Sequence, residues 1–332
     1  MKVRAVDMSL NESAHAALVF TYDTTPPQLA VTRPGASYHN SLTTLSGTAA
    51  DLASTNPGSI DYVQLRIYDQ EITKWYSRAY DDFRIASDQP ESAWFVATNT
   101  CTWEVWHSTF SDINFNAGRY YDVIARTADK SGTWCTAYST KTFLYDNQAP
   151  AITVAKPAVG EYWNASLTSL SGTAQDQPSP GNNSGTGARF VAIRQNTDMT
   201  WFDGVGFVTG EPSGKSYNVG SGNGNWTYSS ANLLSALLSG VSYYVTNYAG
   251  DNAGNVAGWY NVNGSTFICD KHAPEAAITI PQAAEIFYSS LPTLSGTASD
   301  VTPPAGPLKS GVKNVQFVVQ DVTAGAPEEN LY

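Results

Sequence analysis

Aspartate is the residue whose spacing in this chain first suggests chemistry. The strings "TLSGTAAD", "SLSGTAQD" and "TLSGTASD" close on Asp51, Asp176 and Asp300. A second set, "FTYD", "FLYD" and "FICD", closes on Asp23, Asp146 and Asp270, and a third contains Asp129 in "TADKSG" and Asp251 with Asn255 in "GDNAGN". Asp23, Asp146 and Asp270 are separated by 146 − 23 = 123 and 270 − 146 = 124 residues. Carboxylates, amides and backbone carbonyls are the donors that a hard cation such as Ca²⁺ collects, six to eight at a time. The same residues also favour turns through Asx hydrogen bonds to their own backbone. No D-x-D-x-D loop occurs to decide between the two readings.

Other chemistries find less support. The four histidines, His15, His39, His107 and His272, share no repeat position and no H-x-x-x-H spacing. No G-x-S-x-G elbow occurs. The glycine-rich strings "GTGARF" and "GSGNGNW" do not lie between a strand and a helix. They therefore offer no phosphate cradle. The expectation is a protein that is not an enzyme. The nine tryptophans raise a third possibility, since flat exposed rings can stack on sugars. Trp75 aligns with Trp201, and Trp103 with Trp226, which reads as core packing. Trp106 and Trp134 have no counterparts and are the candidates for an exposed ligand face.

Positioning these residues is the work of a repeat. "FTYDTTPPQLAVTRP" (20–34), "FLYDNQAPAITVAKP" (143–157) and "FICDKHAPEAAITIP" (267–281) align directly, as do "YYDVIARTADKSG" (120–132) and "YYVTNYAGDNAGN" (243–255). Two-residue alternation dominates within each repeat. Examples are "DYVQLRIYD" (61–69), "ARFVAIRQN" (188–196) and "KNVQFVVQD" (313–321). Further strands are expected over 121–129 and 137–146, an extra hairpin with tryptophan contacts over 74–99, and one helical turn over 230–240. On an extended "LSGTA" strand, Leu45, Gly47 and Ala49 share one face. If that face is the core, the glycine leaves room for a large ring, Trp103 in one repeat and Trp226 in the next.

Seven or more short strands per repeat define an all-β class of tandem antiparallel β-sandwiches. "D..AP.I.V..P", "LSGTA.D" and "A.D.AGN" resemble bacterial immunoglobulin-like repeats, which stack in large extracellular and cell-surface proteins of the adhesin and biofilm-associated type. The resemblance covers essentially the whole chain and implies the end of a preceding module over 1–23, complete modules over 24–146 and 147–270, and the first half of another over 271–332. In such a sandwich the start of the first strand, the end of the second and the last loop meet at one pole. Asp23, Asp51 and Asp129 should therefore converge, as should Asp146, Asp176 and Asp251 with Asn255, while Asp270 and Asp300 begin a third set. "ADKSGTWC" (128–135) departs from the pattern by lacking the asparagine of "DNAGN".

Composition agrees with this class. Charged residues make up 14% of the chain, and the net charge is 18 − 29 = −11. That balance disfavours a nucleic-acid partner. No apolar run in the chain reaches the length of a membrane span, roughly 18 residues. Cys101, Cys135 and Cys269 make no disulfide framework, and Cys101 and Cys135 are either a pair or idle thiols. The N-terminus has no signal peptide and the final "ENLY" is either native or tag-derived, so the sequence reads as an excerpt of a longer chain. The expected role is an extracellular stalk, fibre or adhesin shaft serving as a semi-rigid spacer, its partners being neighbouring modules. A carbohydrate- or ligand-binding module, meeting surface glycans, and a self-assembling fibre or surface-layer subunit, meeting other copies of itself, are the alternatives. No cofactor is required; Ca²⁺ at module junctions is one of the two readings of the aspartates, beside turn chemistry.

Overall fold

The computed structural model describes residues 1–52, 58–99, 103–110, 114–164, 169–259, 264–282 and 288–320. Cys101 and the terminal "ENLY" lie outside the described residues. The chain divides into two compact units, one of 1–149 with 176–185 and 251–255, the other of 150–175, 186–250 and 256–332.

In the first unit, strands Gln28–Arg33, Thr44–Ala50, Val105–Thr109 and Thr98–Asn99 form one sheet. The facing sheet runs through Tyr38–His39, Ser139–Tyr145, Arg119–Asp129, Ile60–Asp69, Lys74–Ser77 and Asp82–Ala86, with Phe95–Val96 beside Ile60–Asp69. Pairing is antiparallel except where Tyr38–His39 meets Ser139–Tyr145. Alternation dictates the core. Val63, Leu65 and Ile67 point inward from one sheet and Val31, Leu45 and Ala49 from the other, all fully or nearly fully buried. The hairpin Lys74–Ser77/Asp82–Ala86 is the expected extra element, and it brings Tyr76 and Phe83 into the aromatic part of that core.

The second unit repeats the plan. Ala151–Lys156, Leu170–Gln175 and Gly224–Tyr228 form a three-stranded sheet. An eight-stranded sheet is centred on Thr186–Gln195 and Val241–Asp251. The expected helical turn is the helix Ala231–Ala236. Its Leu233 amide donates to the Ser230 hydroxyl at 3.3 Å. Such an N-cap bond satisfies a donor that the first helical turn leaves free. Strands Glu275–Ile280 and Ser295–Ser299 pair with every residue exposed. The strand expected over 313–321 does not form within the described residues, which carry no strand from 311 to 319. Its counterparts Ile60–Asp69 and Thr186–Gln195 are central strands held on both edges, and no strand flanks 313–319 in this way.

Candidate metal centre

The first unit brings together both acid sets expected from the sequence. Asp23, Asp51 and Asp129 each place one carboxylate oxygen within 4.8 Å of the others, and so do Asp146, Asp176 and Asp251. Chain geometry explains the first convergence. Asp23 lies just before strand Gln28–Arg33, Asp51 just after Thr44–Ala50, and Asp129 ends Arg119–Asp129. Thr44–Ala50 runs antiparallel to Gln28–Arg33, with Ala50 opposite Gln28, so the two flanking acids meet at the same sheet end.

In the first set, Asp129 Oδ1 accepts from the Ser131 amide at 2.8 Å, the Ser131 hydroxyl at 2.7 Å and the Thr133 amide at 2.9 Å. Its Oδ2 has no hydrogen-bond partner although the residue is 1% exposed. Asp23 Oδ1 accepts from the Thr25 amide at 2.9 Å, while its buried Oδ2 has no partner. Gly58 lies against this set, and a β-carbon there would overlap Asp23 Oδ2 and Asp51 Oδ2.

Every carboxylate oxygen of the second set accepts a hydrogen bond. Asp146 takes the Gln148 amide at 3.2 Å on Oδ1 and the Ser184 amide at 2.8 Å on Oδ2. Asp176 takes the Gln177 amide at 2.9 Å and the Ser184 hydroxyl at 3.3 Å. Asp251 takes the Asn255 amide and the Asn255 side chain, each at 2.8 Å. The Asn255 side chain also donates to the Asp146 carbonyl at 2.8 Å, and Asn252 donates to the Ser184 carbonyl at 2.7 Å. Burial pushes the Asp176 carboxyl above its ordinary range, with the charges of Asp146 and Asp251 adding to the shift.

In the second unit, Asp270 and Asp300 share a serine in the same way. The Ser310 amide donates to Asp270 Oδ2 at 2.8 Å and its hydroxyl to Asp300 Oδ2 at 3.4 Å, matching Ser184 with Asp146 and Asp176. Burial pushes the Asp270 carboxyl up, but the Ser310 amide and hydroxyl together with the His272 amide outweigh it and hold the group below its ordinary value. This serine-mediated bridge has no counterpart among the sequence-based expectations. The "SG" common to 184–185 and 310–311 is the signal that would have revealed it.

The tryptophans sort differently from expectation. Trp106, a candidate for the surface by sequence, is fully buried, its ring lying where a Gly47 β-carbon would stand. It is the counterpart of Trp226, which covers Gly172 in the same way; Trp103 is partly buried at the edge of the core. Trp134 is 42% exposed. Its ring lies 4.8 Å from the Arg126 guanidinium and meets the Tyr62 ring edge-on at 5.6 Å. Arg126 also stacks on Trp94 at 4.1 Å, and Arg66 stacks on Trp94 at 4.4 Å and on Trp75 at 4.5 Å. Three tryptophans and two arginines thus interleave in one row, with Glu91 paired to both cations. Among the described residues no helix is long and apolar enough to cross a membrane.

No protein-family model matches the chain, and no curated protein matches it. Solved structures do resemble it, at modest scores. The fibronectin(III)-like modules of Clostridium thermocellum CbhA are 12% identical with a TM-score of 0.33, over 74% of this chain and 95% of theirs. A tetra-tandem repeat from the extending region of a large adhesion protein is 20% identical with a TM-score of 0.29, over 91% of this chain and 63% of that one. A solved chain from a 1.5-MDa bacterial ice-binding adhesin is 17% identical with a TM-score of 0.35, over 78% of this chain and 71% of the solved one. By its own sheets the chain is all-β, built of largely antiparallel sandwiches.

Proposed function

We propose that the chain is a structural segment of an extracellular adhesin-type protein, a run of sandwich modules acting as a semi-rigid spacer, with Ca²⁺ held at its acid clusters. The observation that carries this reading is the recurrence of one three-acid constellation in successive repeats, with oxygens within 4.8 Å of each other. Three like charges at that separation, buried or partly buried, repel, and a divalent cation relieves the repulsion while using their oxygens as ligands. The donor set is hard oxygen throughout, which suits Ca²⁺ and not a thiophilic metal. Asp23, Asp51 and Asp129 would hold one ion, and Asp146, Asp176 and Asp251 with Asn255 another. Neighbouring modules of the same array are the partners on this reading, and no catalytic step is assigned.

The test is a pair of thermal melts, one in millimolar Ca²⁺ and one in chelator. A ligand at a hundred times its Kd stabilises the state that binds it by about 2.7 kcal/mol, so the melting temperature should rise by several degrees with Ca²⁺. Coincident melts would remove the calcium part of the reading. Small-angle scattering tests the spacer part, which a flexible, collapsed chain would contradict.

A further inference from the structure

We infer that the two acid clusters of the first unit are unequal, and that Asp23/Asp51/Asp129 is the tighter cation seat by at least tenfold. The inference rests on the calcium reading above and adds an order of affinity to it. Formal charge does not separate the clusters, since each consists of three carboxylates. They differ in what already occupies their oxygens. In the second cluster all six accept a hydrogen bond, four from amides of the backbone or of Asn255 at 2.8–3.2 Å beyond the two from Ser184. In the first, Asp129 Oδ2 and Asp23 Oδ2 are buried with no donor at all.

Two local differences set the clusters apart. Asn255 stands four residues after Asp251 and donates its side-chain amide to Asp251 Oδ2 at 2.8 Å. The residue four after Asp129 is Thr133, whose backbone amide reaches Asp129 Oδ1 at 2.9 Å and whose side chain carries no amide to serve Oδ2. The Ser184 backbone amide donates to Asp146 Oδ2 at 2.8 Å, whereas Gly58 lies against Asp23 Oδ2 and no amide reaches that oxygen. A buried carboxylate oxygen lacking a hydrogen bond is costly unless a positive charge meets it. A cation entering the second cluster competes with donors already in place, while one entering the first supplies the missing partner.

The experiment is calorimetric titration of the whole chain with CaCl₂ after removal of residual calcium, repeated on three variants. Two binding steps at least tenfold apart are expected. Asp129→Asn should abolish the tighter step and Asp251→Asn should leave it within twofold. Thr133→Asn, which supplies the amide the first cluster lacks, should weaken the tighter step at least fivefold. It also decides the matter alone if circular dichroism shows that Asp129→Asn fails to fold. Two steps of equal affinity, loss of the tighter step in Asp251→Asn, or an unchanged tighter step in Thr133→Asn would each overturn the inference while leaving calcium binding intact. No heat from the unmodified chain would overturn the calcium reading and this inference together.

Discussion

Trp226 lies over Gly172 with its ring where a β-carbon would stand, and its indole N–H donates to the Thr153 carbonyl at 3.1 Å. Trp106 covers Gly47 in the same way, but its Nε1 has no partner. Alanine at either glycine would overlap a backbone carbonyl as well as the ring, so the ring cannot simply turn aside. Gly47→Ala and Gly172→Ala should each cost about 2–3 kcal/mol by overpacking. Trp226→Phe should cost about 1 kcal/mol more than Trp106→Phe, because only Trp226 loses a hydrogen bond. Urea denaturation of the four variants measures both differences.

Asp69 is fully buried and its Oδ2 meets the Arg119 guanidinium at 2.9 Å. The Glu71 and Ile72 amides hold Oδ1 at 2.9 and 3.2 Å. Arg119→Ala leaves the carboxylate buried with only those amides, and the arginine side chain is 27% exposed, which moderates the loss. The expected destabilisation is about 2 kcal/mol, below the loss typical of a fully buried pair. Arg119→Lys should recover less than half of it, since an ammonium lacks the planar fork. Equilibrium unfolding of both variants checks this.

The row of Trp75, Arg66, Trp94, Arg126 and Trp134 gives a contrast between charge and shape. Arg126 also bonds Gln64 at 2.8 Å and Glu91 at 2.9 Å. Its replacement by alanine should cost about 1–2 kcal/mol from the lost stacking and hydrogen bonds. Arg126→Lys should restore little, because the stacked plane is lost. The loss should persist in high salt, unlike that of an exposed ion pair. Denaturation at two ionic strengths distinguishes these.

Alkaline pH offers a fourth test. Burial pushes Tyr76 to about 12, helped by its hydrogen bond to Asp81, and pushes Tyr243 to about 12 against the Leu238 amide. Unfolded tyrosine loses its proton near 10, so between about pH 10 and 12 the folded state holds protons that the unfolded state has released. Their contribution to stability is complete below about pH 10 and is lost as pH rises through about 12. Tyrosinate absorbance should rise in two phases, the second coinciding with loss of structure by circular dichroism. A single phase near pH 10 with the fold intact would contradict the burial.

The acid clusters were legible in the sequence because Asp23, Asp51 and Asp129 flank strands whose alternation is plain, and a strand's end fixes where the next residue lies. The inward placement of Leu45, Gly47 and Ala49 was legible for the same reason. The partner of Gly47 was not. The interval from Gly172 to Trp226, counted on from Gly47, falls closer to Trp103 than to Trp106. Pairing register, with Trp106 opposite Gly47 and Trp226 opposite Gly172, settles it. The arginine–tryptophan row was hidden because its members come from separate strands and loops, and no local spacing announces a contact across a sheet.

Asp23 and Asp129 lie 129 − 23 = 106 residues apart in a chain with only three cysteines. A cation shared between them would act as a removable cross-link. Closing a loop of that length restricts the unfolded chain by about 4–5 kcal/mol in the entropy model used for disulfides. Unlike a disulfide, this tie would follow the calcium concentration around the protein and would be indifferent to its redox surroundings. The same segment could then be mechanically firm in a calcium-rich medium and pliant in a calcium-poor one, with no covalent bond made or broken.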